Sequence, residues 1–222
     1  MPNNHSKYRI PGVPLVGGTV STIAPAQTFP MGITTAGGMV YWANYQGASI
    51  MKVAPDGTGL ATVAPGQSFA ADVAADATNL YWVTDGTTVN TGTVVKIPLV
   101  GGSLTTLATA QHLPDQVTTD GTGVYWTNHN SPSPVMRVGV NGGAATTIAA
   151  NQAGGFGIAT DGVSVFWTQF ASAGAVASVG VLGGSISTLA TAQVNPECIA
   201  VDGTSIYWTD FNGGTVMKLT PK

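Results

Sequence analysis

Short runs of β-branched, aromatic and other apolar residues, each bounded by Gly, Pro or Asp-Gly, fill the chain from Val13 onward. Such runs predict β-strands, and Asp-Gly between two of them is a strong hairpin signal. The runs also recur in register. A copy begins at Gln27, Gln67, Gln111, Gln152 and Gln193, at intervals of 40, 44, 41 and 41 residues. Six residues after each Gln stands a β-branched aliphatic: Ile33, Val73, Val117, Ile158 or Ile199. Nine after it stands Asp76, Asp120, Asp161 or Asp202, with Ala36 in the first copy. Fourteen and fifteen after it come an aromatic and a Trp: Tyr41-Trp42, Tyr81-Trp82, Tyr125-Trp126, Phe166-Trp167 and Tyr207-Trp208. A period near 40 residues marks a repeat architecture.

Each copy reads as four short antiparallel strands. The first follows the Gln, the second carries the aromatic-Trp pair, and the third ends in Met51-Lys52, Val95-Lys96, Met136-Arg137, Ala177-Ser178 or Met217-Lys218. The fourth follows a Gly-Gly turn, as in IPLVGGSLTTLATAQ (97–111), or Pro55-Asp56-Gly57 in the second copy. This is the size and order of a propeller blade. The expectation is an all-β fold, a β-propeller of five blades with four antiparallel strands each. Residues 1–12 read as a tail and 13–222 as the propeller, with repeat cores at 27–52, 67–96, 111–137, 152–178 and 193–218. The chain enters on a fourth-strand pattern at 18–24 and ends on a third-strand pattern. The N-terminal strand is therefore expected to pair with residues 216–219, completing the last blade and closing the ring.

Composition narrows the function classes. Charged residues make up only 8% of the chain and the net charge is −3, against about 25% charged in ordinary domains. The basic residues fall in repeat slots or near the termini, so a nucleic-acid partner lacks its electrostatic footprint. No apolar run reaches a membrane span, so membrane insertion is not expected. The single Cys198 excludes an internal disulfide; on the innermost strand it reads as a small buried apolar residue. The location expected is extracellular or periplasmic, with any signal peptide already removed. A closed ring is expected to be a monomer.

The stretch YWTDFNGGTVMK (207–218) resembles the YWTD repeat of low-density-lipoprotein-receptor-type propellers. The preceding PECIAVDG (196–203) is similar to NHL-type and virginiamycin-B-lyase-like blades. The resemblance covers residues 13–222. YWTD rings usually have six blades where this chain has five copies. The YWTD aspartate stands only at Asp210, and the slot holds Asn44, Thr84, Asn128 and Gln169 elsewhere. The lyase-like relatives imply a His and an acid acting with a divalent ion. No local motif assigns those roles, although His112, His129 and Asp115 share one copy.

Once the scaffold slots are set aside, two groups remain. Tyr45, Asp85, His129, Phe170 and Phe211 stand four residues after each motif aromatic, and Phe29 and Phe69 two residues after a Gln. All fall in loops expected on one face, which suits ligand or partner binding. Asp72, Asp115 and Glu197 enter the innermost strands near the channel mouth, where three carboxylates could hold Ca²⁺ or Mg²⁺. No catalytic residue is assigned, since no nucleophile elbow, zinc spacing or phosphate loop is present. The function expected is a non-enzymatic binding module for a protein or glycan partner, without a cofactor. The alternatives are a divalent-metal-assisted lyase or hydrolase at the channel mouth, a lectin, or a purely structural ring.

Overall fold

A computed structural model describes residues 20–129 and 132–222, and the tail 1–12 lies outside it. The described residues form 19 strands in five antiparallel sheets and no helix. Blade one is β1 (Pro30–Ala36), β2 (Met39–Asn44), β3 (Ser49–Val53) and β4 (Ala61–Pro65). Blade two is β5 (Ala70–Ala75), β6 (Asn79–Thr84), β7 (Gly92–Pro98) and β8 (Thr105–Gln111). Blade three is β9 (Pro114–Thr119), β10 (Gly123–Asn128), β11 (Ser133–Gly139) and β12 (Thr146–Gln152). Blade four is β13 (Gly155–Thr160), β14 (Ser164–Gln169), β15 (Gly174–Gly180) and β16 (Ser187–Gln193). Blade five has three strands, β17 (Pro196–Val201), β18 (Ile206–Asp210) and β19 (Thr215–Leu219). Strands pair in sequence order within every blade. The innermost strands β1, β5, β9, β13 and β17 lie side by side.

Alternation along the second strand holds the blades together. Neighbouring side chains point to opposite faces of a sheet, so each aromatic-Trp pair serves two interfaces. Tyr41 shares a buried cluster with Trp82, Tyr81 with Trp126, Tyr125 with Trp167, and Phe166 with Trp208. The aromatic of one blade thus packs against the Trp of the next. Inner strands approach closely at Gly157, where a Cβ would collide with the Glu197 carbonyl of the next blade.

Two polar slots complete the scaffold. The repeat Gln accepts the Trp indole N–H, with Trp82 Nε1 at 2.9 Å from Gln67 Oε1 and Trp126 Nε1 at 3.1 Å from Gln111 Oε1. Its own amide donates to the carbonyl two residues back, as from Gln111 to Thr109 at 2.8 Å. Blade four departs from the pattern. Gln169 Nε2 donates to Gln152 Oε1 at 2.7 Å, and the buried Trp167 Nε1 has no acceptor among the described residues. The hairpin Asp is the second slot. Asp120 Oδ1 accepts the N–H groups of Thr122 and Gly123, both at 2.8 Å, and Oδ2 accepts the Tyr125 hydroxyl at 2.8 Å. In blade four Phe166 has no hydroxyl, and Lys222 Nζ meets Asp161 Oδ2 at 2.7 Å instead. In blade five the N–H of Thr204, the Tyr207 hydroxyl and the N–H of Ser205 hold Asp202 down to about 2.

Of the segment expected to close the ring, residues 18 and 19 lie outside the described residues and 20–24 are in no strand, and among the described residues β19 pairs with β18 alone. One expectation meets a different arrangement. Cys198 is exposed rather than buried, because blade five has no following blade against its inner strand.

The indole slot gives a contrast that mutation can measure. Gln111→Ala should cost about 1–3 kcal/mol by stranding the buried Trp126 N–H. Gln152→Ala should cost clearly less, since Trp167 already lacks an acceptor and Gln169 can turn to solvent. Denaturant midpoints of the two variants test this, and equal losses would rule out the indole as the reason for the Gln.

Candidate functional site

The loop that follows each second strand is tied to the loop after the repeat Gln by one backbone bond, repeated five times. Tyr45 N donates to Phe29 O at 3.0 Å, Asp85 N to Phe69 O at 3.0 Å and His129 N to Leu113 O at 2.9 Å. Phe170 N donates to Gly154 O at 2.8 Å and Phe211 N to Asn195 O at 3.0 Å. The acceptor residue is left-handed every time, with φ of 55° at Phe29, 59° at Phe69, 53° at Leu113, 54° at Gly154 and 54° at Asn195. This conformation costs a side-chain-bearing residue roughly 1–2 kcal/mol, and a glycine nothing. Phe29 and Phe69 therefore keep their rings against a backbone penalty that Gly154 avoids.

These ties bring the loop residues together on one face, as the repeat slots implied. Tyr45 packs between Phe29 and Phe69, with ring centroids at 5.9 and 5.4 Å. Its hydroxyl crosses to blade two and donates to Asp85 Oδ2 at 2.8 Å. His129 Nδ1 faces Asp115 Oδ2 at 3.8 Å. The His129 ring meets Phe156 at 5.6 Å, Phe156 meets Phe170 at 5.5 Å, and Phe170 lies 6.4 Å from Phe211. The result is an arc of aromatic rings over all five blades, with Asp85, Asp115 and His129 near its middle. Phe156 is buried at the base of the arc, while Phe29, His129 and Phe211 are exposed at its top.

The middle of the arc is electrostatically tuned. Burial raises Asp85 to about 6, aided by the Asp115 charge and opposed by the Tyr45 hydrogen bond and by His129. The neighbouring Asp115 carboxylate raises His129, against the effect of burial. Asp85 Oδ1 and Asp115 Oδ2 are shielded from solvent and lack a hydrogen-bond donor among the described residues. This is a place that favours a positive charge and can exchange a proton near neutral pH.

Of the three carboxylates expected at the channel mouth, Asp115 belongs to the middle of the arc, and Asp72 and Glu197 are buried apart from it. Asp72 is buried, and its Oδ2 accepts the Val117 N–H at 3.0 Å, across to the next blade. Burial raises Asp72 to about 7 despite that bond. Glu197 is buried on β17, and Asp115 is mostly buried on β9. Among the described residues no three His, Cys, Asp or Glu side chains are grouped to hold a metal ion.

Phe156, near the loop aromatics in sequence, joins the arc from the slot four after the Gln that also holds Asp115 and Glu197. A polar cavity of about 250 Å³ beside Phe69 is lined by Ser68, Thr84, Thr87, Thr91 and Thr93. Several of its hydroxyls are spent on one another and on the loop backbone, as in the Thr84–Thr93 pair at 2.8 Å and Thr91 Oγ1 to Thr88 O at 2.7 Å.

The architecture has counterparts among solved structures. A chain in a nidogen/laminin complex superposes with a TM-score of 0.71 at 18% identity, over 87% of this chain and 76% of that one. A gluconolactonase from Xanthomonas campestris gives 0.63 at 14% identity, over 90% and 78%. The chain has a β-propeller fold. A computationally designed protein, Ika4, gives 0.56 at 13% identity, over 68% of this chain and 89% of that one. No family model and no characterised sequence matches the chain. Among the described residues no helix is long and apolar enough to cross a membrane.

The buried carboxylate gives a pH dependence with a definite sign. Folding favours the neutral form of Asp72, because its folded value of about 7 lies above the usual 3.8. Its penalty is absent below about 3.8, grows as the pH rises, and is complete above about 7. Thermal stability should therefore decline from pH 4 to pH 7, and Asp72→Asn, which keeps an acceptor for Val117, should flatten that decline. Melting curves across this range check it, and an unchanged slope in the variant would exclude Asp72 as the source.

Proposed function

We propose that this chain is a non-enzymatic binding module, a five-bladed propeller ring whose loop face takes a protein partner. The observation that carries this reading is the aromatic arc from Phe29 to Phe211 on one face, with Asp85 and Asp115 near its middle, each carrying a buried oxygen with no hydrogen-bond donor among the described residues, that of Asp115 facing His129 at 3.8 Å. Exposed aromatics around an anionic centre suit a segment with apolar side chains flanking a Lys or Arg. The arc joins loops of unequal length and composition on a uniform scaffold, which favours one composite surface over five equivalent glycan sites. The likeness to a chain that forms a protein–protein complex supports the same direction, at the level of fold.

A displayed random-peptide library selected on the purified protein tests the proposal. Enriched peptides should carry a basic residue beside aromatic or aliphatic ones, and their binding should weaken with salt. Phe29→Asn, which installs the residue type that Asn195 has in the same slot, combined with Phe211→Ala, should reduce affinity at least tenfold while leaving the melting temperature nearly unchanged. Selected peptides that bind the double variant as well as the parent would sink the reading, as would an empty selection alongside a positive glycan array.

One observation favours a second reading, a divalent-metal-assisted hydrolase or lyase. Burial raises Asp85 to about 6 beside the Asp115–His129 pair. On that reading, Ca²⁺ or Mg²⁺ added to chelator-treated protein should raise the melting temperature, and Asp115→Asn should abolish the rise. At a metal concentration 100 times the dissociation constant the gain is about 2.7 kcal/mol, so a flat response at millimolar metal would dismiss it.

A further inference from the structure

One slot of the repeat combines a Tyr, a hairpin Asp and a base, and four blades keep its charges matched. Tyr81, Tyr125 and Tyr207 donate their hydroxyls to Asp76, Asp120 and Asp202 at 2.6, 2.8 and 2.9 Å. Opposite each Tyr on the third strand stands a base: Lys96, Arg137 or Lys218. Lys96 Nζ crosses to the Val140 carbonyl of blade three at 2.5 Å. Arg137 stands 5.9 Å from the centre of the Tyr125 ring, and Lys218 stands 5.4 Å from that of Tyr207. Blade four has Phe166 and Ser178 in these positions, and Lys222 supplies the cation for Asp161.

Blade one keeps the Tyr and the base and lacks the acid. Ala36 stands where the other blades have the hairpin Asp. Asp56, the one acid between Gln27 and Gly66, is spent on its own turn, where Oδ1 accepts the Thr58 N–H at 2.9 Å and the Thr58 hydroxyl at 2.7 Å. Tyr41 and Lys52 are directly opposite in register, so their side chains leave the sheet on the same face. That face is the one packed on blade two, since Tyr41 shares its cluster with Trp82 and Ile97. Among the described residues neither the Tyr41 hydroxyl nor the Lys52 ammonium has a hydrogen-bond or ion-pair partner.

A cavity opens at this point. The carbonyl that corresponds to Val140 is that of Leu99, and Lys52 does not bond to it. A space of about 240 Å³ lies between the blades instead, lined by Tyr41 and Lys52 on one side and by Ile97, Pro98, Leu99 and Val100 on the other. Val100 is 97% exposed at its rim. A phenol donor and an unpaired, half-buried cation thus face an apolar wall.

We propose that this cleft between blades one and two binds a small monocarboxylate, whose carboxylate takes the place of the missing Asp on Tyr41 within reach of Lys52, and whose apolar body lies along Ile97, Pro98, Leu99 and Val100. The other blades show which anion the phenol suits, because each of their tyrosines donates to a carboxylate. The ammonium beside it strengthens the same bond by its charge. A phosphate would bring more acceptor oxygens than these two groups can satisfy and would leave the apolar wall unused. The cavity is smaller than the roughly 300–1,000 Å³ of drug-sized sites, which restricts the body to a short chain or one ring. The site lies at the end of the strands that carries the Gly-Gly turns, opposite the loop face, and does not rest on the loop-face reading.

Titration of the full ¹⁵N-labelled chain with hexanoate tests this. Saturable NMR shifts should appear at the amides of Tyr41, Lys52 and residues 97–102, with hexan-1-ol binding on the order of tenfold more weakly, as expected for loss of a charged hydrogen-bond acceptor. Tyr41→Phe with Lys52→Ser installs the residues that blade four carries as Phe166 and Ser178, so the fold should tolerate both, and hexanoate binding should fall at least tenfold. Ala36→Asp should block the site by returning the acid that the other blades have, and should raise the melting temperature of the ligand-free protein. No saturable shift with hexanoate, equal binding of hexan-1-ol, or parent-like affinity in either folded variant would overturn the proposal.

Discussion

Everything in this molecule depends on the packing of one blade's aromatic against the next blade's Trp. A single four-stranded sheet cannot bury both faces, so a blade is stable only between neighbours. The aromatic-Trp dipeptide solves this in two consecutive residues, because strand alternation sends one ring forward and the other back. The polar slots follow from it. A Trp buried between sheets needs an acceptor for its indole N–H, and the repeat Gln supplies it in four of the five blades. A Tyr buried beside it needs a partner for its hydroxyl, and the hairpin Asp supplies that in blades two, three and five.

The exceptions show that the constraint is chemical rather than a matter of sequence habit. Phe166 removes the hydroxyl, and the Asp161 carboxylate it would have satisfied is met by Lys222 from the end of the chain. Gln169 takes Gln152 Oε1, and Trp167 has no acceptor among the described residues. Each local substitution is answered, or left unanswered, within hydrogen-bonding distance, while the packing between sheets persists.

The blade order, the strand order and the loop residues that gather on one face were legible in the sequence, because the repeat slots are spaced without gaps from Gln to Trp. Tyr45, Asp85, His129, Phe170 and Phe211 share one slot, and the structure places them on one arc. Contacts made between blades were less legible. The bond from Tyr45 to Asp85 spans 40 positions, and the raised value of Asp72 comes from burial at a convergence of inner strands that no single repeat describes. Cys198 reads as buried by its slot and is exposed by its place in the last blade. A repeat pattern describes an interior blade well and a terminal blade poorly, because it carries no information about which neighbours are present.

The left-handed residue two positions after each Gln has a different kind of consequence. With φ between 53° and 59° in all five blades, it redirects the main chain identically whether the side chain is Phe, Leu, Gly or Asn. The loop it receives is then fastened by the same backbone bond in every blade. Loop content is thereby uncoupled from loop anchorage. The scaffold behaves as a rack of five identical sockets, and a loop of foreign sequence ending in the same geometry could be transplanted into any of them without retuning the strands beneath.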